Sequence, residues 1–375
     1  MLILGIETSC DDTAVSVLQV NGKKLEIKSN IISSQVKLHA KYGGVFPSLA
    51  AREHEKNLPK VLKLALKEAG VKVDEVDLVA VTKGPGLEPS LWRGINFAND
   101  LAKKFNKTII GINHLEGHIY SNWLSLTKLD YKFFPALCLI VSGGHTELVL
   151  MKNYGKYKIV GETLDDAVGE AFDKVARMLG LGYPGGPAVA QRADKFNKSE
   201  IHPLENSRAK SRGSRVGRIS DLLPIKFPRP MMHSKDFNFS FSGLKTAVLY
   251  KTREFTRLPD GQEKLTPEII DQICYEFQEA ATDVLISKTL KAVEKYKVKS
   301  VMLSGGVSAN KSLGKKLEKK ISTELNNVKF FKPEASYTAD NAVMIALAGY
   351  FNRQKIKTGY PSWKPVEVDA NLNLG

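Results

Sequence analysis

Over residues 2–20, LILGIETSCDDTAVSVLQV, an apolar run meets a short stretch of small and acidic residues and resumes as an alternating run. That pattern predicts two antiparallel strands joined by a tight turn. Residues 137–150, LCLIVSGGHTELVL, repeat the design with Ser142 in the place of Ser9. Two strand-turn-strand units so far apart point to a duplicated domain rather than a solenoid, whose periods are far shorter. Between them, HEKNLPKVLKLALKEAG has helical apolar spacing and ends on Gly70, a plausible C-cap. VDLVAVTKGPGL then reads as a buried strand entering a glycine turn, and KSVMLSGGVSANKSLGKKLEKKI as strand, Ser304-Gly305-Gly306 turn and basic helix. Strands alternating with helices predict an α/β protein with helix-flanked sheets.

Four glycine-rich turns flank these strands: Gly84-Pro85-Gly86, Ser142-Gly143-Gly144, Pro184-Gly185-Gly186-Pro187 and Ser304-Gly305-Gly306. Glycine lets backbone N–H groups approach an anion closely, so four such turns together favour a nucleotide-type ligand. None matches a P-loop, and no Gly-x-Gly-x-x-Gly follows a strand. The stretch LDDAVGEAFDKVARMLG is expected to be helical, with Asp166, Glu170 and Asp173 on one face. Two roles stand for that face: a solvated acidic surface, or Asp173 pointing into a ligand cleft to accept from ribose hydroxyls.

Around INHLEGHIY, residues 112–120, a helix over residues 114–124 capped by Asn113 would place His114 and His118 about 40° apart around its axis. Imidazoles at that spacing suit a transition metal. Glu116 would face away from them, unlike the glutamate of the His-Glu-x-x-His proteases. Asp340, in YTADNAVMIALAGY, could supply a third ligand, although a helix N-cap would explain it equally.

Composition adds limits. A chain of 375 residues with 43% hydrophobic and 25% charged positions fits a folded two-lobed protein rather than a disordered one. Apolar runs such as FPALCLIV fall far short of a bilayer span, which with the early Glu7, Asp11 and Asp12 predicts a cytoplasmic protein without a membrane partner. Cys10, Cys138 and Cys274 show no paired spacing, so neither a zinc knot nor a disulfide framework is expected. The net charge of +15 is compatible with a polyanionic partner, and equally with a lysine-rich proteome. Residues 195–229 lack periodicity and concentrate Arg208, Lys210, Arg212, Arg215 and Arg218. That stretch reads either as a solvated surface excursion or as a phosphate contact.

Taken in order, GIETSCDDTAVSV, KYGGVFPSLAAREH, GPGL, HLEGH, VSGGHTEL, GEAFDKVARMLGLGYPGGP, FPRPM, NFSFSGLKTAV, SGGVSAN and TADNAVMIA resemble the bacterial and organellar tRNA N6-adenosine threonylcarbamoyltransferases, once described as O-sialoglycoprotein endopeptidases. The resemblance implies a two-lobed actin/hexokinase/Hsp70-like fold with the ligand cleft between lobes. The expected first lobe is 1–130 plus 341–375, and the second is 131–340, with a basic insertion around 195–229. It implies transfer of a threonylcarbamoyl group from L-threonylcarbamoyladenylate to N6 of adenosine 37 in tRNAs reading codons that begin with A, with AMP released. By motif, His114, His118 and Asp340 match the ligands of one divalent metal, usually iron, with zinc or magnesium as alternatives. Ile140, Val141, Ser142, Gly143, Gly144, Asp173, Gly186 and Asn310 match the positions that hold the adenylate. Asp11 is the candidate to position or deprotonate the adenine amine, with Asp12 and His145 as lesser candidates; Asp11 could equally be a turn former. The implied partners are tRNA, a paralogous subunit of TsaB type and a small ATPase of TsaE type.

The donor is a mixed anhydride and already activated, in keeping with a chain that shows no Ser-His-Asp or Cys-His arrangement. Three departures stand out. Ala190 replaces an acidic residue common in relatives, YTADN replaces the commoner CTDN, and EPSLWRG after GPGL brings in Trp92 and Arg93. The competing readings are a sugar-kinase or actin-like ATPase of the same superfold, a binding-only scaffold, and a metalloendopeptidase, which the Glu116 geometry disfavours.

Overall fold

The computed structural model describes residues 1–126, 133–196, 225–256, 265–356 and 364–374. The basic cluster Arg208 to Arg218 lies outside the described residues. The first hairpin forms as its alternation requires, with β1 (Leu2–Glu7) antiparallel to β2 (Asp12–Asn21), which pairs with β3 (Lys24–Ser34). The buried strands β4 (Leu78–Gly84) and β5 (Thr108–Asn113) add in parallel on the other side of β1, giving the order β3-β2-β1-β4-β5. The second sheet has the same plan. Strands β6 (Ala136–Val141), β7 (Thr146–Asn153) and β8 (Lys156–Glu162) form an antiparallel meander. Then β9 (Ser300–Ser304) and β10 (Lys329–Phe331) extend it in parallel from β6, giving β10-β9-β6-β7-β8.

Strand alternation decides what each sheet face covers. Leu4, Ile6, Val15 and Val17 pack with apolar residues of α2 (Pro47–Ala69) and α3 (Glu88–Lys104), after α1 (Val36–His39). Their neighbours Ile3, Leu18 and Ala80 join a central cluster with Ala136, Cys138 and Ile140 of the second sheet. Two helices share that central layer: α4 (His114–Tyr120) and, near the chain end, α10 (Ala342–Asn352), whose sequence is apolar nearly all round because it is buried nearly all round. Leu137, Leu139 and Val141 face the outer core. It contains residues of α5 (Val168–Met178), α6 (Gly185–Lys195), α7 (Ser242–Thr256), α8 (Pro267–Tyr296) and α9 (Lys311–Glu324). The result is helices, sheet, central helices, sheet, helices, the duplicated α/β arrangement of the actin/hexokinase/Hsp70 superfold.

Close approach fixes where α10 sits. A Cβ on Gly5 would lie 2.1 Å from the Ala342 carbonyl oxygen, so only glycine at that position of β1 admits the start of α10. The helix α2 closes on Gly70 in the left-handed region at φ 66°, as its sequence predicts. Cys10, Cys138 and Cys274 are free thiols. Among the described residues no helix is long and apolar enough to cross a membrane.

Two boundaries differ from expectation. The helix carrying the histidines ends at Tyr120 and tightens into one 3₁₀ turn, Ser121–Trp123. The helix expected from Leu164 starts at Val168, because the preceding aspartates are engaged elsewhere. Asp165 accepts from Ser240 Oγ and the Phe241 N–H, and Asp166 pairs with Lys174 and Lys245. Asp166 therefore stands outside the helix and not on one face with Glu170 and Asp173.

Candidate metal centre and cleft

Asn113 ends β5 and caps α4, its side-chain oxygen accepting from the N–H groups of Leu115 (2.8 Å) and Glu116 (3.3 Å). This cap sets the helix phase, and His114 and His118 turn into the central layer with ring centroids 4.6 Å apart, edge to face. Asp340 meets them from the start of α10. Its Oδ1 lies 3.5 Å from His114 Nε2 and 3.2 Å from His118 Nε2. Asp340 is not the N-cap of α10; Asn341 takes that role, accepting from the Met344 N–H at 3.0 Å, and leaves the aspartate free. Ligand atoms of all three residues lie within 4.8 Å of one another.

The donor set fits a divalent transition metal. Both ring nitrogens of His118 are buried without a well-aligned hydrogen bond, Nε2 having only the Asp340 carboxylate at 3.2 Å beside it, a costly state that coordination would relieve. His114 Nδ1 lies 3.0 Å from Glu7 Oε2, so a proton donated there leaves Nε2 with its lone pair toward the group. Glu7, at the end of the apolar strand β1, is fully buried and also accepts from Thr82 Oγ1 (2.6 Å) and the Ser9 N–H (2.5 Å). Burial alone would raise its carboxyl, yet the adjoining His114 holds it below its ordinary value. Burial likewise opposes ionisation of Asp340, but both histidines hold its carboxyl well below the usual carboxylate range. Against its burial, the same two carboxylates push the His114 imidazole up to about 9, so a dication suits the site by taking the place of that proton.

Sequence reasoning missed Glu7. The available signal was a carboxylate inside an otherwise apolar strand. Glu7→Gln keeps the shape and removes the charge, and is expected to weaken metal affinity by about 10–100-fold. Competition against a graded chelator series measures it, and an unchanged affinity would assign Glu7 to packing alone.

Glu116 turns away, as the helical spacing requires. Its Oε1 accepts from Tyr157 Oη at 2.8 Å, on β8 of the second sheet. Glu116 therefore does not stand beside the two histidines as the base of a protease would.

Asp11 closes the turn of the first hairpin and Asp12 opens β2. Asp11 Oδ2 and Asp12 Oδ1 are buried without partners. Burial raises the Asp11 carboxyl, partly offset by a hydrogen bond from the Cys10 thiol. Burial pushes Asp12 up to about 7, assisted by the negative charge of Asp340, Asp11 and Glu7 against a hydrogen bond with Ser34. All three thiols are pushed up by burial, so none is poised as a nucleophile.

The raised Asp12 value implies a pH-dependent stability. In unfolded chain the carboxyl ionises near 3.9, whereas in the fold it keeps its proton to about 7, so stability falls as pH rises between those values. In chelator-treated protein, Asp12→Asn should be more stable than wild type by on the order of 2 kcal/mol at pH 8, allowing for solvent at this partly exposed group. The difference should shrink toward pH 5. Urea midpoints at both pH values decide it, and a pH-independent difference would contradict the assignment.

The remaining expected residues line the second hairpin and its neighbours. Ile140 and Val141 are buried in β6, and their side chains pack on opposite faces of the sheet. Ser142 Oγ accepts from the His145 N–H at 3.0 Å and shapes the turn that exposes Gly143 and Gly144. A Cβ on Gly143, Gly144 or Gly186 would meet nothing within 4 Å, so all three border open space. Gly305, at φ 87°, is different: a Cβ there would lie 2.4 Å from the Val141 carbonyl, so the two Ser-Gly-Gly turns abut only because it is glycine. His145 lies within electrostatic reach of His114 and His118, and burial brings it down to about 4, so it is neutral.

Asp173 and Asn310 both have structural employment. Asp173 Oδ1 accepts from the Gly185 N–H at 2.7 Å, tying α5 to the start of α6. Asn310 caps α9 through the Leu313 N–H (3.0 Å) and donates to Gln278 Oε1 at 2.7 Å. Trp92 is exposed on α3, and Arg93 pairs with Glu55.

A duplicated actin-like fold whose central layer carries a His-His-Asp group able to hold a metal, beside paired glycine turns, defines a member of the actin/hexokinase/Hsp70 class. Within that class, the family model described as tRNA N6-adenosine threonylcarbamoyltransferase matches residues 26–347. Proteins of that name from Thermosipho africanus (strain TCF52B) and Thermosipho melanesiensis (strain DSM 12029 / CIP 104789 / BI429) are 43% and 45% identical, each aligned over 100% of both chains. The one from Bacillus subtilis (strain 168) is 42% identical over 93% of this chain and 90% of that protein. The chain belongs to the tRNA N6-adenosine threonylcarbamoyltransferase family.

Proposed function

We infer that this protein transfers the threonylcarbamoyl group of L-threonylcarbamoyladenylate to N6 of adenosine 37 in tRNAs reading codons that begin with A. The full-length correspondence with the family carries this conclusion. An actin- or sugar-kinase-like ATPase would leave the His-His-Asp group without a use, and no observation favours it.

His114, His118 and Asp340 would hold one divalent ion. Two imidazoles and one carboxylate with open positions favour iron over magnesium, which prefers oxygen ligands. When bound, such an ion polarises a carbonyl oxygen. The chain's own residues do the rest. The exposed turn Gly143-Gly144 offers its backbone N–H groups to the adenylate phosphate and Gly186 leaves room beside α6, with Ile140, Val141 and Ser142 holding the first turn in place. Asp173 and Asn310 fix the second turn and the α9 start, and offer their remaining acceptor capacity to the nucleoside. Asp11, raised by burial and with one oxygen unpaired, accepts the proton that N6 loses as its nitrogen bonds to the carbamoyl carbon and the bond to the AMP oxygen breaks.

Residues 1–130 with 341–375 form the first lobe and 131–340 the second, supported by the packing of Ala342–Asn352 back onto β1, β2 and β4. A cytoplasmic location would suit a tRNA substrate. The exposed α3 surface around Trp92 is open to a TsaB-type partner, with a TsaE-type ATPase completing the assembly. Nucleoside mass spectrometry of tRNA incubated with threonine, bicarbonate, ATP, the adenylate-forming enzyme and the assembled partners tests the reaction. Threonylcarbamoyl-adenosine that does not depend on this protein would refute it.

A further inference from the structure

Tyr42 and Phe46 present their rings to solvent, 62% and 51% exposed, with centroids 5.8 Å apart and planes 35° apart. Adjacent apolar rings left in water mark a contact surface rather than a packing error. Their backbone is fixed. The Gln35 N–H donates to the Asp11 carbonyl at 3.1 Å, and Gln35 Nε2 donates to the Ala50 carbonyl at 3.3 Å. Buried His39 accepts from the Phe46 N–H at Nδ1 (3.3 Å), which assigns its proton to Nε2, 3.2 Å from Gln35 Oε1. Gly43 takes the left-handed region at φ 67°, and its carbonyl accepts from Arg177 of α5. The segment is thus pinned to the Asp11 turn at one end and across to the second sheet's helices in its middle.

Charge identifies the occupant. From Gln35 to Arg52 there is no acidic residue, while Lys37, Lys41 and Arg52 are exposed. Aromatic faces flanked by cations suit unpaired bases on a phosphate backbone, because every base has a π-face and every phosphate a charge. An adenine delivered into a cleft must leave its stack, and the neighbouring base then lacks a stacking partner.

We propose that Tyr42 and Phe46 are a stacking platform for an unpaired anticodon-loop base next to the target adenosine, with Lys37 and Lys41 on the adjoining phosphates. The proposal rests on the transferase function above and locates its RNA beside Asp11.

The test uses the full chain with its partners, and an unmodified anticodon stem-loop RNA as probe. The double variant Tyr42→Ala/Phe46→Ala should raise the RNA Kd and KM on the order of tenfold, leaving kcat, metal content and melting temperature unchanged. Tyr42→Trp should retain wild-type affinity. Lys37→Ala/Lys41→Ala should instead lower the slope of log Kd against log salt by about one to two. A double variant with wild-type Kd and KM overturns the platform while leaving the transferase function intact. So does one that keeps RNA affinity but loses a protein partner. A wild-type protein that modifies no RNA overturns the transferase function itself.

Discussion

His118→Ala is expected to yield a folded protein that neither retains a divalent metal nor modifies tRNA. The side chain makes no well-aligned hydrogen bond and only the 3.2 Å approach to Asp340, so its removal costs mainly packing, about 2–4 kcal/mol by comparison with other large-to-small core changes. The functional cost is larger. Loss of a ligand from a three-residue site forfeits the several kcal/mol of charge stabilisation that a bound ion supplies, about a thousandfold or more in rate. Metal content by elemental analysis and turnover with saturating adenylate measure the two effects. Asp340→Asn provides the shape-preserving control, because it removes the charge without opening a cavity. Metal-replete, active protein from both variants would break the assignment. An intact fold with metal lost but full transfer would confine the ion to a structural role.

Much of this architecture is legible in the chain, and the reasons are local. Both hairpins declare themselves because small and polar residues interrupt the apolar runs where the chain must reverse, two aspartates at Ser9–Asp12 and two glycines at Ser142–His145. The His114/His118 pair is legible because 3.6 residues per turn fixes its face without any tertiary information. The same periodicity turns Glu116 outward, to Tyr157. The short strand β10 is three residues of one exposed edge, too little alternation to detect, and β3 and β8 carry too many exposed positions to stand out from turns. The late start of α5 is not legible because it depends on Phe241, Lys174 and Lys245 competing for Asp165 and Asp166.

Convergence from distant segments is the least legible feature. Asp340 and Asn341 are adjacent and both suit a helix cap, and only the packing of α10 against β1, admitted by Gly5, decides that Asn341 caps and Asp340 faces the histidines. Glu7 gains its role from the same packing, which buries it against His114 Nδ1. Two buried carboxylates then make the pocket favourable to a cation and unfavourable to a third negative charge. Asp12 faces the same field, which adds to the dominant effect of its burial in holding its proton to about 7.

Asp11→Asn should lower transfer by about 10²–10⁴-fold, the usual contribution of a positioned general base, with metal content and RNA affinity preserved. Asparagine keeps an acceptor oxygen at the same place, so a residue that only orients the adenine amine would lose far less. The pH profile separates the two roles. A base must be ionised to act, and Asp11 ionises above the ordinary carboxylate range because burial raises it. Wild-type rate should therefore climb with pH through that raised value, and the limb should disappear in the asparagine variant. Asp12 also titrates near this turn, to about 7, so the profile is measured in an Asp12→Asn background as well. If the acidic limb persists in Asp11→Asn but vanishes in Asp12→Asn, the proton passes to Asp12. If both variants turn over at the wild-type rate, neither carboxylate takes it, and the hairpin turn serves only to shape the cleft.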